Sequence, residues 1–395
     1  MSRPYTLSVS SPGSASSSRA KRIVSIDALR GLVMLLMLVD HTREFFYLDR
    51  QVADPMNLNE TDPALFFTRL AAHLCAPVFV ALTGVSAWLH ARGDTARAGG
   101  FLAKRGLFLI VLEVTLVNFA WTFDPVPRTY FLQVIWAIGL SMLVLAVLIR
   151  LPRAGLAAIG AMLVLGHNLL DGVTLAADAP GHALWAILHQ RDLIALPWGA
   201  AARTSYPVLP WIGVMALGYG AGPWFARDAE PGARGRALLL FAAGSLVLLA
   251  VFRAFMGYGD TQGWHSTDEG LRNAMSFVNL TKYPASACFL LLTLGIGALV
   301  LHLFERIDRA GSSRAIRGLA VLGGAPLFFY LLHLYVLHGA NRIAGAALGA
   351  TGLVSVPSVG WIWALAALVA VPCWFATRRF GTLKRASPAW WMRYL

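Results

Sequence analysis

The chain has 395 residues, 57% of them hydrophobic and only 13% charged, with a mean hydropathy of +0.62. That charged share is about half of what a soluble globular protein carries. A water-covered compact body is therefore excluded, and a lipid bilayer is the implied solvent and partner. The net charge of +13 would suggest nucleic acid in a soluble protein. In an apolar chain it reads instead as basic cytoplasmic loops, so no nucleic-acid partner is expected.

The first twenty residues hold eight serines and no apolar run. Residues 1–22 are expected to form a disordered cytoplasmic tail. The segment from Ile23 then acts as an uncleaved signal anchor, because no small-x-small cleavage pattern follows it.

A helix needs roughly 20 apolar residues to cross a bilayer. Segments meeting that length run, in chain order, over Ile23–Phe46, Leu65–Ala91, Gly106–Phe123, Tyr130–Leu151, Ala154–Leu175, Tyr206–Phe225, Ala237–Met256, Pro284–Phe304, Leu319–Leu337 and Val359–Thr377. The predicted fold is all-α: a polytopic bundle of about ten transmembrane helices over residues 23–380, followed by a cytoplasmic C-terminal tail over 381–395. With both termini inside, the cytoplasmic segments hold about twice the Lys and Arg of the opposite side, and acidic residues run the other way. This orients the chain with both termini on the cytoplasmic side of its membrane. Gly181–Gly199 is apolar but broken by His189, Gln190, Arg191 and Asp192, so it is expected to be re-entrant or interfacial on the outer side. The polar loop Gly257–Lys282 is external and positioned to cap a cavity. There is no internal repeat and no separate soluble domain, and the oligomeric state stays open, a homodimer included.

The first helix reads SIDALRGLVMLLMLVDHTREFF. A charge inside a membrane helix costs at least a few kcal/mol, so each needs a reason. Asp27 and Arg30 lie one turn apart and can pair. His41 follows Arg30 after three turns and about 20°, on the same face and roughly 16 Å along the axis. A functional polar stripe and a structural ion pair with a headgroup-level histidine fit this spacing equally well. Asp40 points about 100° away from His41 on a regular helix, which argues against it orienting that ring.

Other polar residues follow. Arg69 and His73 are four apart at the level of His41; they fit a second catalytic histidine or an anion clamp, and more often such a pair is a solvated helix end. Glu113 and Asn118 interrupt the third helix, and Arg30 or Arg105 are the expected partners of Glu113, in a structural pair rather than a catalytic one. His167, Asn168 and Asp171 end the fifth helix. His167 and Asp171 have the spacing of an imidazole–carboxylate pair, but no third ligand is near in sequence, so no metal is expected. They and Lys282, which opens the eighth helix beside Tyr283, are acceptor-side candidates. His333, buried in the ninth helix, is more often a satisfied interhelical donor than a catalyst and stands as a second-rank candidate. Glycine pairs such as Gly155 with Gly160, and Gly213 with Gly218 and Gly222, predict close helix packing. The three cysteines, Cys75, Cys288 and Cys373, form no CxxC pair and indicate no disulfide framework.

At this point the chain resembles a family. Asp27, Arg30 and Gly31 with His41 eleven residues on are similar to the first-helix signature of the transmembrane acyltransferase superfamily. With HLCAPVFVALTGVSAWL, LQVIWAIGLSML, YPVLPWIGVMALGYG, TKYPASACFLLLTLG and PLFFYLLHLYVLH in that order, the chain resembles bacterial members of the heparan-α-glucosaminide N-acetyltransferase catalytic-domain family, from residue 22 to about 340. The resemblance implies a bacterial cytoplasmic membrane, an acyl-CoA donor, typically acetyl-CoA, a sugar amine or hydroxyl acceptor on the far side of that membrane, and a catalytic histidine. The lysosomal member carries that histidine between its first two helices, and here Leu48–Asp62 has none. His41 matches the related sugar O-acyltransferases by position, with Arg30 and Asp27 beside it in the signature. An imidazole there would take a proton from the acceptor or carry the acyl group itself. Arg92, Arg97, Lys104 and Arg105 form the basic loop that would hold the donor's phosphates. The competing class is a transporter or flippase for a lipid-linked or sugar substrate, which would use the same intramembrane charges and in many cases shows repeat symmetry.

Overall fold

The computed structural model describes residues 23–47, 56–91, 93–266, 268–311, 313–350, 352–389, 392 and 394. The tail expected over 1–22, Arg92 and residues 48–55 of the first loop lie outside them. The apolar runs form helices because backbone polar groups in lipid must be satisfied within their own segment. α1 (Val24–Phe46) is followed by α2 (Pro63–Ala72), whose start is set by Asp62: its carboxylate accepts from Ala64 N at 2.8 Å, and Pro63 sits where a missing N–H matters least. α3 (Cys75–Ala91) continues α2 past a break at His73 and Leu74, and the two form one apolar stretch.

α4 (Thr95–Leu112) passes through a π-helical turn, Glu113–Val117, into α5 (Asn118–Thr122). The backbone N–H of Asn118 reaches the Glu113 carbonyl, five residues back, and the Asn118 side-chain amide donates to the same oxygen at 2.7 Å. Then come β1 (Thr129–Leu132), α6 (Val134–Leu148), α7 (Arg153–Gly166) ending in a 3-10 turn, α8 (His182–Leu188), β2 (Leu193–Ala195) and β3 (Ala201–Thr204). The remaining helices are α9 (Leu209–Gly220), α10 (Pro231–Phe255), α11 (Gly270–Val278), α12 (Ala287–Arg309), α13 (Arg314–Leu322), α14 (Pro326–Leu348) and α15 (Val359–Ala386).

The fold is mostly helical, with one correction to an all-α reading. β1, β3 and β2 form a small sheet in that order, β1–β3 parallel and β2–β3 antiparallel. The polar residues that break the apolar run at 181–199 hold this unit together. Gln190 accepts from Leu175 N at 2.9 Å and donates to Leu175 O at 3.1 Å, and Thr204 Oγ1 accepts from Asp192 N at 2.8 Å. The C-terminal stretch expected as a tail from 381 is helical as far as Ala386.

Five described stretches are long and apolar enough to cross a bilayer: Pro63–Ala91, Arg153–Leu170, Pro231–Phe255, Ala287–Arg309 and Val359–Ala386. α13 and α14, bent by 78° at their junction, make a sixth if counted as one span. α6 and α9 are apolar but shorter. α1 is 23 residues long, yet it carries Asp27, Arg30, Asp40, Arg43 and Glu44.

α1 is the hub, packing against α2, α3, α12, α13, α14 and α15. Its contact with α13 is backbone to backbone. A Cβ on Gly31 would sit 2.0 Å from the Leu319 carbonyl oxygen, and one on Gly323 would sit 1.9 Å from that of Asp27. No side chain fits there. Of the glycines expected at helix contacts, Gly160, Gly213, Gly218 and Gly222 are in tight contacts, while Gly155 faces open space. An apolar cavity of about 280 Å³ lies between α1, α3, α9, α10 and α12, lined by Leu29, Val78, Leu82, Leu217, Phe241 and Leu301 among others.

Candidate active site

His41 lies near the C-terminal end of α1, half-buried, and His333 lies two turns into α14, fully buried. The bend before Pro326 brings α14 across α1, so that His41 Nδ1 is 2.8 Å from His333 Nε2. The rings are nearly parallel, 5.0 Å apart at 12°. His333 Nδ1 is 2.8 Å from the Phe329 carbonyl oxygen. That oxygen can only accept, so Nδ1 of His333 carries the proton. In the neutral ring, Nε2 of His333 is then an acceptor, and His41 Nδ1 is the donor. The lone pair of His41 is left on Nε2, away from the pair.

Two other rings meet His41 edge-on: Trp121 of α5 at 4.9 Å and Tyr330 of α14 at 6.0 Å between centroids. The Trp121 indole nitrogen and the Tyr330 hydroxyl are both buried and face one another, and neither has a well-aligned hydrogen-bond partner elsewhere among the described residues. Such groups are costly in a folded interior and are candidates for a ligand-facing role.

Asp40 turns to the other side of α1, as the helical angle predicts. Its carboxylate accepts from Arg43 Nε at 3.2 Å and pairs closely with Arg69, while Arg43 also pairs with Glu44. Arg69 is therefore at the level of His41, as expected, but bound to Asp40. His73, on the same side, is buried edge-on to Phe289 at 5.2 Å. Next to this group the loop before α12 carries Lys282 and Tyr283; Lys282 Nζ lies 5.2 Å, and the guanidinium of Arg191 from the segment after α8 4.8 Å, from the centre of the Tyr283 ring. The Tyr283 hydroxyl donates to that of Tyr206 at 3.4 Å. Burial alone would raise the Tyr283 phenol, but the Lys282 and Arg69 charges outweigh it and hold it below the usual tyrosine value.

Arg30 stays at the opposite end of α1. It pairs with Asp27 at 3.3 Å and donates to Leu82 O at 3.2 Å and Ser86 Oγ at 2.7 Å, tying α1 to α3. Glu113 is fully buried, but neither Arg30 nor Arg105 forms an ion pair with it among the described residues. Its carboxylate instead accepts from Trp136 N at 2.9 Å and caps the start of α6. Arg97 and Lys104 are exposed on α4, and Arg105 is half-buried with its Nε unpartnered. His338 donates from Nδ1 to the Ala120 carbonyl oxygen at 2.8 Å, a tie between α14 and α5.

His167 and Asp171 are joined by a group that sequence spacing did not single out. His189, from the segment after α8, places its Nε2 3.2 Å from His167 Nδ1 and 3.6 Å from Asp171 Oδ1. The signal was present only as a polar interruption of an apolar run, 22 residues along the chain from His167.

Several apolar spans around buried polar side chains define the class: a multi-pass helical membrane protein. The family described as heparan-alpha-glucosaminide N-acetyltransferase, catalytic, matches residues 22–255. The chain belongs to that family, a transferase family by its description. The matched region includes His41, Arg69, His73 and Trp121, and His333 lies beyond it. No curated protein matches the chain.

Proposed function

We propose that this protein is a membrane acyltransferase that moves an acyl group, acetyl by the family's description, from acyl-CoA to a sugar amine or hydroxyl. The observation that carries this reading is the relayed pair, which leaves an unprotonated Nε2 on the more accessible of the two rings. His41 acts as general base. Its Nε2 takes the proton from the acceptor N–H or O–H as that atom bonds to the thioester carbonyl carbon. The C–S bond breaks, coenzyme A leaves as thiolate, and the imidazolium returns the proton to that sulfur. His333 holds the ring and shares the positive charge through the Nδ1–H of His41, as an orienting group does in a hydrolase triad. The Trp121 N–H and Tyr330 O–H are the candidate donors to the oxyanion that develops. Asp27 and Arg30 serve by holding α1 against α3. Arg69, His73 and Lys282 line the approach on the Asp40 side, and Glu113 caps α6.

The proposed setting is a bacterial cytoplasmic membrane with ten spans and both termini in the cytoplasm. α1, α4, α6 and α9 complete the set, helped across by burial inside the bundle rather than by length alone. The Arg97, Lys104 and Arg105 group then takes the phosphates of acyl-CoA from the cytoplasm, and the acceptor arrives at the His41 end.

Thiol release by the purified protein, given acetyl-CoA and an amino sugar, tests the reading. Wild type should release thiol in step with acetylated sugar, and His41→Ala should not. Sugar movement across proteoliposomes without any thiol release would overturn it in favour of a transporter.

A further inference from the structure

A second polar cluster stands apart from the histidine pair, where α7 ends. It consists of His167 and Asp171, with His189 folded back from beyond α8; both histidines are buried. One ligand atom from each of the three residues lies within 4.8 Å of the other two. The separations are 3.2 Å between the two ring nitrogens and 3.6 Å from His189 Nε2 to the carboxylate oxygen.

Those lengths are informative. Ligand atoms about 2.0–2.2 Å from a tetrahedral zinc ion are spaced about 3.4 Å apart. A hydrogen-bonded explanation of the same atoms falls short of protons. His189 Nε2 also lies 3.0 Å from the His167 carbonyl oxygen, so this one nitrogen faces a carbonyl, a carboxylate and an imidazole nitrogen. It has at most one proton for three acceptors. If His167 Nδ1 carries a proton toward His189, then His189 Nε2 must accept, and neither the carbonyl nor the carboxylate is served. If His167 is protonated on Nε2 instead, His189 Nε2 still has only one proton to share among the His167 ring nitrogen, the His167 carbonyl and the Asp171 carboxylate. A cation at the centre satisfies all three lone pairs at once.

The surroundings are those of a held ligand set. Asn168 donates to the other oxygen of Asp171 at 2.7 Å, and its own oxygen accepts from Ala287 N at 2.9 Å. Asp171 is thereby turned with Oδ1 toward the histidines, as supporting residues orient metal-bound carboxylates. We propose that His167, Asp171 and His189 form a site for a divalent transition-metal cation, zinc by ligand type, which fastens the α8 segment to the end of α7. Three protein ligands leave the fourth tetrahedral position to water. Ligand softness agrees: two imidazoles and a carboxylate suit zinc better than magnesium or calcium.

The test uses full-length protein in detergent, purified without a polyhistidine tag and stripped with chelator. Zinc chloride titrated against a chromophoric competitor should reveal one tight site per chain and raise the unfolding temperature. Cobalt in its place should give the visible bands of tetrahedral coordination. His189→Gln and Asp171→Asn should each abolish the tight site, and Asn168→Ala should weaken it about 10–100-fold. Should a variant fail to fold, the wild-type titration still decides. Wild type that takes up no stoichiometric zinc and shows no tetrahedral cobalt spectrum would overturn the site, as would unchanged zinc affinity in folded His189→Gln. Acyl transfer is not a readout here, so failure of this proposal is distinguishable from failure of the transferase reading.

Discussion

His41 Nδ1 and His333 Nε2 are 2.8 Å apart, from helices nearly three hundred residues distant in sequence, and the Phe329 carbonyl fixes which ring gives and which receives. Under the proposed acyltransferase reading, His333 is a positioning residue and His41 the group that meets substrate. His41→Ala is expected to lower turnover by about 10²–10⁴-fold, the usual worth of a general base, with acyl-CoA binding intact. His333→Phe keeps the stacking and removes the acceptor nitrogen, so kcat should fall while KM for acyl-CoA holds. His333→Gln, whose amide oxygen can accept from His41, should recover part of the loss. Equal damage by the Phe and Gln variants, tracking their thermal stability, would mark His333 as structural only.

The two buried donors beside His41, Trp121 and Tyr330, call for a separate measurement. Removing one oxyanion donor typically lowers kcat by about 10²–10³-fold. Trp121→Phe and Tyr330→Phe keep the rings and delete the N–H and O–H. Each is expected to lower kcat with little change in KM. A fall confined to KM would place the two groups in ground-state binding instead of on the developing charge.

Much of this was legible in the sequence, for physical reasons that differ from residue to residue. A charged residue in an apolar helix announces itself by cost, so Asp27, Arg30, His41 and Glu113 stood out. The helical angle alone separated Asp40 from His41, and the structure sends Asp40 to Arg43 and Arg69. What could not be read was pairing across helices. His333 looked like an ordinary satisfied histidine until the bend before Pro326 set it against His41. Glu113 was expected to meet an arginine, yet backbone N–H groups at the start of α6 serve it. His189 was hidden because a turn, not a periodic spacing, returns it to His167. The sheet escaped because its strands are three or four residues long, too short for alternation to emerge.

Gly31 offers a stability test that is independent of chemistry. An added methyl group would lie 2.0 Å from the Leu319 carbonyl oxygen, and backbone cannot rotate away as a side chain can. Overpacking of this kind destabilises by about 1–3 kcal/mol. Gly31→Ala should lower the midpoint of thermal unfolding measurably and lower the yield of inserted protein. Gly155→Ala, where nothing lies within 4 Å, is the control and should behave as wild type. Indistinguishable melting of the two variants would mean that α1 and α13 are less closely packed than the structure has them.

The donor end is tested through salt. Coenzyme A carries several phosphate charges, and Arg97 and Lys104 are exposed on α4, seven residues and so about two turns apart on one face. Arg105 follows with an unpartnered Nε. Hydrogen bonds to charged groups contribute about 1.5–3 kcal/mol each, less at exposed positions where water and salt screen them. Even at the low end, losing two or three such contacts should raise KM for acyl-CoA by at least about 10-fold. Changing all three residues to Ala should therefore weaken donor binding while leaving the His41 end, and kcat at saturating donor, nearly as they are. The wild-type KM should climb as salt is raised from low to high, because the screening length shrinks from about 30 Å at 0.01 M to 3 Å at 1 M. The triple variant, with the charges gone, should be far less salt-sensitive. A triple variant with wild-type KM and an unchanged salt response would move the phosphate site off α4 altogether.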